Sequence, residues 1–182
     1  MRADAERWNH KYLKGDGSVS LRGEPELVRH HRSLPQAGLA LELACGKGAN
    51  ALYLASLGLD VVAVDASIEG LKICRLEADR LRLNVLPLLM DLDHYSLPAG
   101  RFALISVVRY LDRALFSDLV TALMPGGVLF YKTFNLRHLR NKPGFNPAFV
   151  LKDGELDAAF DVLDIIAHSE EGTSSFVLGL KT

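Results

Sequence analysis

The stretch Leu41-Glu42-Leu43-Ala44-Cys45-Gly46-Lys47-Gly48-Ala49-Asn50 decides how the rest of the chain is read. Leu39 to Leu43 is an apolar run of strand length, and Ala49 to Leu57 has a helical pattern closed by Gly58. A buried strand therefore enters a glycine turn and leaves it as a helix. Gly46 and Gly48 let the backbone turn tightly and approach a ligand with no Cβ in the way. The helix that follows presents its free N–H groups above the turn. Taken alone, such a glycine pair is equally an ordinary tight turn.

The same rhythm continues outward. Asp60-Val61-Val62-Ala63-Val64 reads as a strand covered on both faces, and Ser67 caps a helix running to about Leu83. Val85 to Met90 is a strand placed near a sheet edge because of Pro87. Phe102 to Val108, a helix from Asp112 to Met124, and Val128 to Phe134 follow. The polar stretch 135–150 reads as a long loop, and Asp153 to Phe160 as a short helix. Val162 to His168 and Ser175 to Leu180 form a hairpin around Glu170-Glu171-Gly172-Thr173. Upstream, Trp8 and Tyr12 lie four apart on a short amphipathic helix, Asp4 to Leu13. A second helix opens with Pro25 in its first turn and is ended by Pro35 and Gly38. Alternating strands and helices predict an α/β fold with a doubly wound, mostly parallel sheet and a C-terminal antiparallel hairpin.

Composition narrows the function. The 182 residues suit one domain, with 1–36 as a helical cap and 37–182 as the core. Lys plus Arg (21) against Asp plus Glu (22) gives a net charge of −1, which argues against a nucleic-acid partner. At 49% hydrophobic residues the chain folds rather than staying disordered. No apolar run reaches the ~18 residues of a membrane span, and the first residues lack a secretory apolar segment. Cys45 and Cys74 have no metal or redox spacing and are expected as reduced thiols of a cytoplasmic protein. The six histidines show no ligand spacing, so no metal site is expected and all six are placed at the surface. A monomer or weak homodimer is expected.

In doubly wound sheets, ligands bind beyond the carboxyl ends of the strands. Three strands end in acids on one side of the sheet: Glu42, Asp65 and Asp91. A carboxylate about twenty residues past a glycine turn accepts the hydroxyls of a ribose. Asp91 suits an adenine amino group, with Leu92 against the ring. Each acid also has a plain structural role, Asp65 as a helper to the Ser67 cap and Asp91 as a turn residue. As a set they outline a nucleoside with a polar tail. Gly46-Lys-Gly-Ala-Asn-Ala51 also fits the dinucleotide fingerprint G-x-G-x-x-A. Against a nicotinamide dinucleotide stand Glu42, which would repel a pyrophosphate and welcome an amine, and a length that leaves no substrate domain.

Glu42-Leu-Ala-Cys-Gly-Lys-Gly-Ala-Asn50, Val-Asp65-Ala-Ser, Met-Asp91-Leu-Asp and Leu123-Met-Pro-Gly-Gly-Val-Leu-Phe130 resemble motifs of class I S-adenosylmethionine-dependent methyltransferases. Trp8-Asn-His-Lys-Tyr12 and Asn50-Ala-Leu-Tyr-Leu-Ala55 are most similar to the small tellurite-resistance-type and thiopurine-type members. One departure is Ala44, where the family has its first glycine. The resemblance implies a Rossmann-like, seven-stranded sheet with helices on both faces and S-adenosyl-L-methionine as cofactor. It places Glu42 by the methionine amine, Ala44, Cys45 and Gly46 along the methionine portion, and Asp65 at the ribose. Ala66 and Ser67 fall beside the adenine, Asp91 and Leu92 around it. Val107 and Val108 offer a carbonyl to the amine, and Trp8 and Tyr12 close over the cofactor.

Methyl transfer from a sulfonium needs alignment and exclusion of water more than a catalytic triad, and no triad is present. The acceptor pocket is expected at Arg109, Tyr110 and Lys132, with the 135–150 loop and its Arg137, Arg140 and Lys142 as a cationic lid. The acceptor expected is a small molecule: a thiol, an oxyanion of the tellurite or selenite kind, or a carboxylate. The rival is a catalytically silent cofactor-binding module whose face serves a partner protein.

Overall fold

The computed structural model describes residues 2–15, 17–19, 21–91 and 96–182, with side chains from residue 5 onward. Its described residues hold seven strands, β1 (Leu39–Leu43), β2 (Asp60–Asp65), β3 (Val85–Leu89), β4 (Phe102–Val108), β5 (Leu123–Phe134), β6 (Asp164–Ser169) and β7 (Ser174–Leu180), ordered β3-β2-β1 and β4-β5-β7-β6, with helices around them. The chain divides into two compact units, 1–96 and 97–182.

In the first unit, β1 (Leu39–Leu43), β2 (Asp60–Asp65) and β3 (Val85–Leu89) run parallel, with Leu43 opposite Val64 and Asp65 opposite Leu89. Ala40, Leu41, Leu43, Ala63 and Val64 are all buried, as expected of strands covered on both faces. β3 stands at the sheet edge, and its Leu86 and Leu89 are exposed. Four helices accompany these strands: α1 (Arg2–Leu13), α2 (Pro25–Arg29), α3 (Ala49–Ser56) and α4 (Ile68–Leu81). Ser67 caps α4 by accepting from the Gly70 N–H at 3.2 Å. The second helix is shorter than its pattern suggests, giving way at His30 to a tight turn over His31–Ser33.

In the second unit, β4 (Phe102–Val108) runs parallel to β5 (Leu123–Phe134), which pairs antiparallel with β7 (Ser174–Leu180), and β7 with β6 (Asp164–Ser169). β5 starts five residues earlier than the apolar pattern indicates. Leu123 pairs with Phe102, and the Met-Pro-Gly-Gly stretch bulges before Val128 meets Leu104. A tight turn over Arg113–Leu115 leads into α5 (Phe116–Ala122).

The 135–150 stretch is not a bare loop. Asn135 caps α6 (Leu136–Asn141) by accepting from the Arg137 N–H at 3.1 Å, and a tight turn follows at Pro147–Phe149. The Asn135 amide also donates to Ser175 Oγ at 3.2 Å, tying the end of β5 to the hairpin. The ring of His138 stacks on Phe134 at 4.0 Å and meets Phe145 edge-on at 4.8 Å. These two aromatics bury His138, which the sequence had placed at the surface. Arg113 completes the arrangement: it pairs with Glu155 at the start of α7 (Glu155–Ala159) and donates to the Ala148 and Val150 carbonyls at 3.0 Å each.

Candidate cofactor site

The glycine turn and the end of β2 are joined by hydrogen bonds. The Cys45 N–H donates to the Val64 carbonyl at 3.0 Å, and the Gly48 N–H closes the turn on the Cys45 carbonyl at 2.9 Å. Asp65 then takes one backbone donor on each carboxylate oxygen: Gly46 N–H on Oδ2 and Ser67 N–H on Oδ1, both at 2.7 Å. The Ala66 N–H assists the same carboxylate. Asp65 is therefore the residue that fixes the turn against the next strand end, and its carboxylate keeps acceptor capacity for a further donor.

Two positions in the turn require left-handed backbone. Gly46 has φ 57°, and a Cβ there would come within 2.6 Å of the Tyr12 hydroxyl. Gly48 has φ 86°, and a Cβ there would run into the Cys74 thiol. Ala44, which stands where the family has glycine, nonetheless adopts φ 53°. For an alanine that conformation costs about 1–2 kcal/mol, so the turn forms in spite of the residue at its first position.

Glu42 is 2% exposed near the end of β1. Its Oε1 accepts from Asn50 Nδ2 at 2.9 Å, and Asn50 Oδ1 accepts from the Glu24 N–H at 2.8 Å. Across the turn lies α1. Trp8 and Tyr12 stack at 5.6 Å, and the Lys11 ammonium stands 4.1 Å over the Trp8 ring. Asn9 accepts from Ser67 Oγ at 2.6 Å and from the Glu69 N–H at 3.2 Å, which docks α1 on the start of α4. The segment after α1 is held by Lys47, which donates to the Ser18 carbonyl. Asn9 and Asn50 carry these ties, and the sequence reading assigned neither a role. Both sit inside the motifs that carry the resemblance, and polar residues between apolar helix positions were the available signal.

The electrostatics of this region have one direction. Burial raises the Asp65 carboxyl above its ordinary value, and the backbone donors of Ser67, Gly46 and Ala66 oppose that only in part. Burial also pushes up the Tyr12 phenol, with Asp65 and then Cys45 adding to it. The Cys45 thiol is raised by burial and then by Asp65, Cys74 and Glu42. Cys74 is pushed up to about 11 by burial, then by Glu42 and Asp65. Both cysteines are free thiols. Two carboxylates at the heart of the turn thus create a negative potential that disfavours phosphate and favours a cation or a donor. That acceptor set fits the ribose diol and ammonium of S-adenosylmethionine.

The other expected residues lie as follows. Ala66 follows Asp65 directly, Ser67 is fully buried, and Asp91 is exposed two residues beyond β3. Leu92 lies outside the described residues. In the second unit, Val107 is buried and paired with Tyr131, and Val108 pairs with Lys132. Arg109 has φ 58° and donates its N–H to the Lys132 carbonyl at 2.8 Å, which brings Arg109 and Lys132 to adjacent strand ends. The Tyr110 carbonyl accepts from the Tyr131 hydroxyl at 2.9 Å. Among the described residues, no group of three or more His, Cys, Asp or Glu could hold a metal ion, and no helix is long and apolar enough to cross a membrane. An open groove of 260 Å³ runs from Tyr12 past Leu13, Ile73 and Leu76. Its lining is mainly apolar, and among the described residues its charged members are Glu69 and Lys72, which pair with each other.

Residues 40–127 match a family described as a methyltransferase domain. No curated protein sequence matches the chain. Among solved structures, 992 chains match, so likeness of fold alone cannot single out an acceptor. A S-adenosylmethionine-dependent methyltransferase from Aquifex aeolicus is 19% identical, with TM-score 0.71 over 98% of this chain and 99% of that one. TehB from Haemophilus influenzae is 15% identical, with TM-score 0.76 over 96% of this chain and 67% of that one. Geranyl diphosphate C-methyltransferase from Streptomyces coelicolor A3(2), solved with Mg2+, geranyl-S-thiolodiphosphate and S-adenosyl-L-homocysteine, is 15% identical. Its TM-score is 0.74 over 100% of this chain and 97% of that one. Residues 40–127 thus resemble a methyltransferase domain, and the chain carries the Rossmann-like fold that S-adenosylmethionine-dependent methyltransferases share.

Proposed function

We propose that this S-adenosylmethionine-dependent methyltransferase, one functional domain over 1–182, passes the methyl group to a small anionic or thiol acceptor in the cytoplasm. The observation that carries the proposal is the carboxylate pair Glu42 and Asp65 at the glycine turn, which together with burial holds the neighbouring Cys45 and Cys74 thiols protonated. When bound, the cofactor supplies an activated methyl on a sulfonium with a good leaving group. Asp65 holds the ribose hydroxyls while fixing Gly46, and Glu42 receives the methionine ammonium. Ala44, Cys45 and Gly46 line the methionine portion. Ala66, Ser67, Asp91 and Leu92 surround the adenine, and Trp8 and Tyr12 shield it from water.

For the acceptor, Arg109 and Lys132 supply positive charge at adjacent strand ends, with Tyr110 beside them. Arg140 and Lys142, both exposed, extend that charge along α6. Tellurite-type chemistry is what the resemblance of Trp8-Asn-His-Lys-Tyr12 and Asn50-Ala-Leu-Tyr-Leu-Ala55 implies, and a diphosphate acceptor is suggested by the similarity to the geranyl diphosphate enzyme. The test is release of S-adenosylhomocysteine with a panel of thiols, tellurite, selenite, small carboxylates and an isoprenyl diphosphate. Turnover with one class supports the proposal. Failure of every acceptor, together with capture of one stoichiometric protein partner, favours the silent binding module.

A further inference from the structure

The Asn50 side chain is a two-sided connector. Its Nδ2 donates to Glu42 Oε1 at 2.9 Å, and its Oδ1 accepts from the Glu24 N–H at 2.8 Å. Only one orientation of the amide serves both partners, because a carboxylate takes a donor and an N–H takes an acceptor. The Glu24 N–H therefore fixes which face Asn50 turns to Glu42. Glu24 begins α2 directly before Pro25, and the neighbouring Gly23 is packed on the Tyr53 ring of α3, where a Cβ would come within 2.7 Å. The amide is thus gripped from outside the turn. Glu42, only 2% exposed, sits where an ionised carboxyl is costly and its direction is set by its hydrogen bonds.

We infer that Asn50 is a positioning residue: clamped by the Glu24 backbone, it aims the Glu42 carboxylate at the amino group of the cofactor's methionine portion. The inference rests on the cofactor placement proposed above and adds to it a residue that touches no ligand. Its consequence is a selective defect. Without Asn50, ligands with the amino-acid tail lose affinity, and ligands ending at the thioadenosine do not.

The experiment titrates wild type, Asn50→Ala, Glu42→Gln and the double variant with S-adenosylhomocysteine and with methylthioadenosine, which lacks the amino-acid tail. Asn50→Ala is expected to weaken S-adenosylhomocysteine about tenfold, the size of one charge-assisted hydrogen bond, and to leave methylthioadenosine within about twofold. The double variant is expected to be no worse than Glu42→Gln alone, because Asn50 acts through Glu42. Asn50→Asp keeps an acceptor for the Glu24 N–H, so it preserves the clamp, but it sets a second carboxyl against buried Glu42, and the proton the pair shares weakens Glu42 as an acceptor for an ammonium. It should reproduce a change confined to S-adenosylhomocysteine. Equal loss of both ligands in Asn50→Ala and Asn50→Asp, or additive loss in the double variant, would overturn the inference. A wild-type protein that binds methylthioadenosine but gains nothing from the tail also overturns it. A wild type that binds neither ligand refutes the cofactor placement instead.

Discussion

The Gly46 N–H donates to Asp65 Oδ2 at 2.7 Å, so the carboxylate assigned to the ribose also builds the turn beneath it. Asp65→Ala leaves two backbone donors without their acceptor, at about 1–3 kcal/mol for each. The same change removes the proposed ribose acceptor and is expected to cost on the order of 2–3 kcal/mol of cofactor affinity. Asp65→Asn keeps one acceptor and should lose less stability. Urea unfolding alongside titration with S-adenosylhomocysteine separates the two effects. Reduced stability with unchanged affinity would leave Asp65 as a turn builder alone.

The pH response follows from two acids shifted in opposite directions. The buried Asp65 has its folded value raised from 3.8. Its contribution to stability is therefore present below 3.8 and lost as pH rises through the raised value. For Glu155, burial pushes the carboxyl up, but the Arg113 hydrogen bond, the Lys152 N–H and the charges of both outweigh it and lower it from 4.5. Its contribution is present above 4.5 and lost as pH falls. Asp65→Asn should remove the loss on the rising side, and Arg113→Met the loss on the falling side. Unfolding free energies across that acid range check both signs.

Ala44 offers a stabilising substitution. Relief of about 1–2 kcal/mol of left-handed strain is offset by about 0.4–1 kcal/mol of added chain entropy in the unfolded state. Ala44→Gly should therefore leave stability unchanged or raise it by up to about 1.5 kcal/mol. Ala44→Val should lower it clearly, since a β-branched residue fits φ 53° poorly. Thermal melts of the two variants decide the point.

How much of this was legible in the sequence depended on the range of the interactions. β1, β2 and β4 were readable because Leu41, Val64 and Ile105 lie in strands buried on both faces. The glycine turn was readable because Gly46 and Gly48 follow directly on an apolar strand. Helix α6 was not, because Leu136-Arg-His-Leu-Arg-Asn141 is short and polar and owes its place to partners such as Phe134, Phe145 and Ser175. The ties of Asn9 to Ser67 and of Asn50 to Glu24 span 58 and 26 residues, and no periodicity encodes such pairings. The left-handed backbone of Ala44 was hidden by its being alanine.

The packing of Cys74 under the turn gives a coupled prediction. Gly48→Ala should be strongly destabilising, because the new Cβ meets the Cys74 thiol and its Cβ at 2.9 Å, and φ is 86°. Adding Cys74→Ala should recover part of that loss, the contact component, while the backbone strain persists. A double-mutant cycle on unfolding free energies measures the coupling. Strictly additive effects would show that the contact does not matter.

Segment 135–150 gives the acceptor side its test. With α6 formed and Arg113 holding the 148–150 carbonyls, amides of α6 should exchange slowly even without ligand. Replacing Arg137, Arg140 and Lys142 with Gln should raise the KM of an anionic acceptor and flatten its salt dependence, with cofactor affinity unchanged. Because Arg137 already donates to the Glu170 carbonyl, most of the effect is expected from Arg140 and Lys142.

The central claim is that the Glu42–Asp65 turn receives S-adenosylmethionine. Isothermal calorimetry with S-adenosylmethionine, S-adenosylhomocysteine and NADH tests it most directly. Micromolar binding of both adenosyl ligands, lost in Asp65→Ala and absent for NADH, is the predicted result. Binding of NADH with no binding of S-adenosylhomocysteine would contradict it.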